Sequence, residues 1–165
     1  MRARPRLAPL LLTLFALSPS PSAAAQSAPG EQAAVRAIAD SALAAVSRND
    51  FVAFTDLMLD SAVTYSAGER AGQAWTSFRT RAQERALQSN QRFTERGFNP
   101  TAMVSGPVAM VWMPYDFYVD GSWSHCGVDI FTLLKGPEGW RIATVAWSIE
   151  QPPACAKHPK GPPGN

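Results

Sequence analysis

The sequence lacks most of the patterns that announce a chemistry. No apolar run approaches the ~20 residues a helix needs to cross a bilayer; the run Leu7–Leu17 covers 11. No glycine-rich phosphate loop or dinucleotide fingerprint occurs, so the nucleotide-binding classes built on them are set aside. Cysteine and histidine are scarce, two of each in 165 residues, at Cys126, Cys155, His125 and His158. There is no internal repeat. The composition, 46% hydrophobic and 17% charged, is that of a globular domain.

What is present begins with a leader. Arg2, Arg4 and Arg6 precede the apolar run, and small residues follow through Ala25, the order of a secretory signal peptide over residues 1–25 with cleavage before Gln26. The mature chain is therefore expected to be secreted or periplasmic, with no membrane segment. Removing the leader takes away three arginines and no acid, so the net charge of +2 becomes 12 basic against 13 acidic side chains, or −1. No basic cluster remains to neutralise a row of phosphates, and nucleic acid is not an expected partner. In an oxidising compartment the default for Cys126 and Cys155 is a disulfide, the alternative being two unpaired thiols.

Residues 26–30 read as a flexible leader, 31–155 as one folded unit, and 156–165, "AKHPKGPPGN", as a disordered Pro/Gly-rich tail. From Glu31, Val35, Ile38, Ala42, Leu43 and Val46 recur at helical spacing. "SRND" breaks that helix, and Asp50 is placed to cap a second, "FVAFTDLM", with Phe51, Phe54 and Leu57 on one face. "SAVTYS" predicts a short strand with Val63 and Tyr65 pointing the same way. Trp75, Phe78, Ala82, Ala86 and Phe93 predict a third helix over residues 73–96. After Pro100, three long β-branched and aromatic runs separated by "DG" and "KGPEG" predict three antiparallel strands. Helices followed by strands give an α+β fold, a curved antiparallel sheet wrapped around three helices with a cone-shaped cavity at its open end.

Counting back from the two turns pairs Tyr118 with Trp123, Asp116 with His125, Trp112 with Asp129, Cys126 with Ile149 and His125 with Glu150. Alternation then sorts the sheet into two faces. One carries Trp112, Asp116, Tyr118, His125, Asp129, Phe131, Thr144, Ser148 and Glu150; the other carries Val111, Met113, Tyr115, Phe117, Val128, Ile130, Val145, Trp147 and Ile149. Opposed side chains sit about 5 Å apart, and residues four apart on one strand roughly 13 Å. His125 is thus within reach of Asp116 or Glu150 but not of Asp129. The first face is either the wet exterior or a pocket wall. Its large rings, Trp112, Tyr118, Trp123 and Phe131, favour the pocket.

With these elements the chain resembles the NTF2-like superfamily, in particular its secreted SnoaL-like or lumazine-binding group. The resemblance runs over residues 31–155 and rests on the opening that ends in "SRNDF", the strand "VAMVWMPYDFYVDG", "SHCGVDIFTLLK" followed by "GWRIATVAWSIE", and the closing Cys155. It implies the NTF2-like cone, frequent homodimerisation through the sheet, a ligand cavity, and a Cys126–Cys155 bond tying the end of the last strand back to the sheet. The superfamily includes isomerases, cyclases, dehydratases and binding domains, so the fold leaves function open.

Several chemistries compete for the polar residues. A ketosteroid-isomerase type needs a carboxylate base and a tyrosine in an oxyanion hole; the first helix has no tyrosine, and Tyr65, Tyr115 or Tyr118 would have to serve. A hydratase or cyclase would use His125 as a base oriented by Asp116 or Glu150, with Asp129 also a catalytic candidate. A metal site has no compact three-ligand set, since Cys126 and His125 point to opposite faces. An oxidised Cys126 offers no thiolate. The preferred reading is a non-catalytic pocket for a small apolar or planar ligand, without a cofactor. In it Trp112, Tyr118, Phe131 and Tyr65 supply walls, and His125 and Asp129 fix the polar end.

Overall fold

A computed structural model describes residues 29–163; the leader expected over residues 1–25 lies outside them. Helix α1 spans Pro29–Ser47, so Pro29 and Gly30, expected in a flexible leader, open the helix instead. It buries Val35, Ala39, Ala42, Leu43 and Ala45 against the sheet. Asn49, at φ 55°, ends the first helical segment, and the side chain of Asp50 accepts the Ala53 N–H at 2.9 Å to start α2, Phe51–Asp56.

The strands are β1 Met58–Arg70, β2 Gln73–Thr80, β3 Phe93–Gly97, β4 Thr101–Ser105, β5 Val108–Val119, β6 Ser122–Gly136 and β7 Gly139–Ile149. They form one sheet in the order β2-β1-β7-β6-β5-β3, with β4 pairing along the same edge of β5 as β3. Among the described residues only β1 and β7 run parallel. The sheet is curved and unclosed, and the helices cover its inner face.

The helix expected over 73–96 does not form. Ala71 and Gly72, both at positive φ, close a two-residue hairpin between β1 and β2, and β2 pairs with β1 throughout. The spacing of Trp75 and Phe78 imitates a helical stripe. However, "QAWTSFRT" is rich in aromatic and β-branched residues, and pairing with β1 decides its conformation. Helix is confined to α3, Arg81–Arg85, where Thr80 and Gln83 form a capping box, and Phe93 falls in β3.

Both long hairpins turn where the sequence places them, with Tyr118 opposite Trp123 and Gly136 opposite Gly139. Each then slips by one. Ser124 is an extra residue in β6, so His125 pairs with Phe117, Asp116 with Cys126, and Met113 with Asp129. Ala143 is extra in β7, so Asp129 pairs with Trp147 and Cys126 bridges Glu150. The expected pairs His125–Asp116, Trp112–Asp129, Cys126–Ile149 and His125–Glu150 are therefore replaced.

A disulfide joins Cys126 to Cys155 with the Cα atoms 5.7 Å apart. Residues 156–163, expected to be a tail with nothing to hold it, continue from this bond across the outer face. The His158 N–H donates to Asp116 Oδ2 at 3.1 Å, its ring meets Phe98 edge-on at 5.3 Å, and the Lys157 ammonium lies 4.2 Å from the centre of the Trp123 ring. Backbone donors and cation–π contacts do here what apolar side chains would otherwise do.

Candidate functional site

Between the inner face of the sheet and the helices lies a cavity of about 430 Å³. Leu43 and Val46 of α1 and Phe51 and Phe54 of α2 form one wall. Phe93 and Glu95 of β3, Tyr115 and Phe117 of β5, His125, Asp129 and Phe131 of β6, and Val145, Trp147 and Ile149 of β7 form the other. Arg79, Glu84 and the segment after α3, Leu87–Ser89, close the rim.

The two extra residues explain this set. Simple alternation puts His125, Asp129 and Phe131 on one face and Tyr115, Phe117, Val145 and Trp147 on the other. The bulges at Ser124 and Ala143 rotate the strands relative to each other, so that both groups share the inner face. His125, Asp129 and Phe131 line the cavity. Trp112, Tyr118, Asp116 and Tyr65 do not; they belong to the outer face.

On that outer face Trp112 is 43% exposed, and Tyr65, 47% exposed, packs against Phe78. Tyr118 is buried under the Arg96 guanidinium and the edge of Trp123. Asp116 is wholly buried, but as a structural ion pair. It accepts both Arg96 Nε at 2.9 Å and Nη2 at 2.6 Å besides the His158 N–H. The proposed His125–Asp116 dyad is absent because the two side chains point to opposite sides of the sheet.

His125 instead stacks on Phe117 at 4.9 Å, meets Tyr115 edge-on at 5.7 Å, and shares a hydrogen bond between Nδ1 and Ser124 Oγ at 2.9 Å. Burial lowers its pKa to about 4, so near neutrality the ring carries no charge. Tyr115 donates its O–H to the Ser148 carbonyl at 2.7 Å, and burial together with the nearby carboxyls of Asp129, Glu95 and Glu150 holds it un-ionised. This bond crosses β6 at Gly127, the residue paired with Tyr115. A Cβ there would collide with the Ser148 carbonyl oxygen.

Asp129 is the most exceptional group. It is 2% exposed, and its Oδ2 has no hydrogen-bond partner among the described residues. Burial and the neighbouring Glu95 raise its pKa well above the carboxylate range. Glu95, whose side chain faces the same cavity, is pushed up to about 8 by burial. The sequence reading missed Glu95 because it assigned residues 73–96 to a helix. The alternation in "FTERG", with Phe93 and Glu95 inward and Arg96 opposite Asp116, was the available signal. Across the rim, Arg79 Nε donates to Glu84 at 2.8 Å, and Glu84 also accepts from Thr64. Among the described residues, no group of three or more His, Cys, Asp or Glu side chains is gathered to hold a metal ion.

The arrangement offers broad aromatic walls, one orphaned carboxyl and a second acid nearby, which suits orienting a small molecule and moving a proton at Asp129 or Glu95. No family model and no curated protein matches the sequence. Solved structures do. An NTF2-like protein with a cystatin-like fold from Novosphingobium aromaticivorans superposes with a TM-score of 0.60 at 15% identity, over 73% of this chain and 82% of that one. A domain of unknown function with a cystatin-like fold from Nostoc punctiforme gives 0.57 at 14%, over 78% and 82%. A provisionally assigned dehydratase of the NTF2-like family from Streptomyces avermitilis gives 0.57 at 15%, over 73% and 96%. The fold is NTF2-like, a curved sheet around helices, as the resemblance implied.

Proposed function

We propose that this chain is an exported small-molecule-binding domain of the NTF2-like fold, of the SnoaL-like or lumazine-binding kind. Export rests on the leader sequence alone. The binding reading is carried by the cavity of about 430 Å³, walled by aromatic side chains and holding a buried carboxyl whose Oδ2 has no partner among the described residues. A buried polar group left unpaired costs about 1–3 kcal/mol, which a ligand contact would offset. His125 adds a flat neutral wall rather than a charge.

The outer face supports self-association. Phe78, Tyr65, Ala146, Ile130 and Trp112 are paired residue to residue across five strands. Phe78 is 62% exposed, and Met103, Val108 and Leu134 extend the apolar area. A homodimer through this band is the expected assembly.

A thermal-shift screen of planar aromatic compounds on the wild type and on Ile149→Trp, which narrows the cavity, tests the binding reading. Compounds should stabilise the wild type, lose that effect in the variant, and be recovered chemically unchanged. Equal stabilisation of both proteins would refute a cavity site. A second reading, an acid–base enzyme of hydratase, cyclase or isomerase type, is favoured by the raised pKa of Asp129 and by the Streptomyces avermitilis neighbour's provisional assignment. It would run on Asp129 and Glu95 rather than on a His–carboxylate pair. Its tyrosine is constrained, since the Tyr115 O–H is already donated to Ser148. Conversion of a bound compound that disappears in Asp129→Asn would rank this reading first.

A further inference from the structure

Two acids face one apolar chamber without a base to balance them. Asp129 lines the cavity, 2% exposed with Oδ2 unpartnered among the described residues, and Glu95 lines it from β3 with no ion pair among them. Arg79 is the one cationic side chain among the described lining residues, and it is engaged by Glu84 at 2.8 Å. The other groups that face Asp129 add no positive charge. Tyr115 is held un-ionised and donates elsewhere, and His125 is neutral. Around the acids stand the rings of Tyr115, Phe117, Phe93 and Trp147.

Resting on the ligand-binding reading above, we infer that the cavity takes an organic cation, a flat apolar body bearing an ammonium group, with the nitrogen against Asp129 and Glu95 and the body between Phe117 and Trp147. An anion finds no unpaired cation among the described lining residues. A neutral acceptor would satisfy one carboxyl and leave the other without a partner. An ammonium donates to both and gains from the ring faces, an interaction worth more where water is excluded. The raised pKa values of the two acids describe the same imbalance. On binding, the ammonium keeps its protons and the carboxyls release theirs to solvent, so uptake of the cation is coupled to proton release.

Calorimetric titration at pH 7.5 with tryptamine, its alcohol analogue tryptophol and the anion indole-3-propionate tests this, run in two buffers of different ionisation enthalpy. Tryptamine should bind at least about tenfold tighter than tryptophol, a difference of ~1.4 kcal/mol, with a buffer-dependent heat that reports proton release. Asp129→Asn should abolish that preference, since a neutral amide keeps the shape and cannot take up the charge. Glu95→Gln should reduce the preference in part. Tryptophol or indole-3-propionate binding as tightly as tryptamine, or a tryptamine preference unchanged in both variants, overturns the cation and leaves the pocket standing. Failure of all three indoles to bind overturns the pocket itself.

Discussion

The carboxyl of Asp129 sits where an ionised group is costly, and the direction of that cost can be read in stability. Burial raises the folded-state pKa values of Asp129 and Glu95 above 3.8 and 4.5, so the folded chain binds protons that the unfolded chain has given up. Their contribution is complete below about pH 4 and is lost as pH rises, for Glu95 through about 8. His125 acts oppositely. Its pKa is lowered to about 4, so its contribution is present above about 6.5 and is lost as pH falls. Asp129→Asn should therefore be more stable relative to the wild type at pH 8 than at pH 5, by several degrees in melting temperature. A constant difference across that range, measured by calorimetry, would contradict the buried-acid assignment. Of the chamber's polar groups, His125 and Asp129 were legible because both lie on one strand, where alternation needs no partner. Glu95 was hidden by the mistaken helix, and Asp116 was misplaced because its true neighbours, Arg96 and the His158 N–H, come from segments 20 and 42 residues away.

Among the elements, the α1 stripe and the Asp50 cap were readable because they depend on neighbours three or four residues away. Both hairpin turns were readable too, from their Gly-containing loops. What local pattern could not supply was the position of the two bulges, since an extra residue leaves no mark in composition. It also could not weigh β2 against a helix, because the arbiter is pairing with β1, from Arg70–Gln73 at the turn out to Val63–Thr80. Gly127 in β6 marks where the sheet tolerates no side chain beneath the Tyr115–Ser148 bond. Gly127→Ala should cost about 1–3 kcal/mol through overpacking, and the strand shift should loosen the chamber around His125 and Asp129. Urea denaturation gives the energy; an unchanged midpoint would mean that β7 moves aside freely.

For the whole molecule the sheet has two employments, a concave side that encloses the chamber and a convex side divided in two. Near the disulfide, residues 156–163 and the Arg96–Asp116 pair cover it. Beyond them Phe78, Tyr65 and Trp112 of the band stand exposed. Trp112→Glu should weaken association of the full chain by about tenfold or more, as placing charges face to face across a two-fold axis does, with the melting temperature of the monomer little changed because Trp112 is already half in water. Sedimentation equilibrium over a range of concentrations distinguishes the outcomes, and a wild type that stays monomeric throughout would dispose of the dimer.

The additional residue at Ser124 carries one more implication, for anyone comparing this chain with distant kin. A homologue without it could match β6 letter for letter downstream and still turn a different set of side chains toward its own hollow. Residue correspondences drawn across that point are trustworthy only when the gap is set by superposed coordinates, and active groups transferred by text alignment alone would be assigned to the wrong side of the sheet.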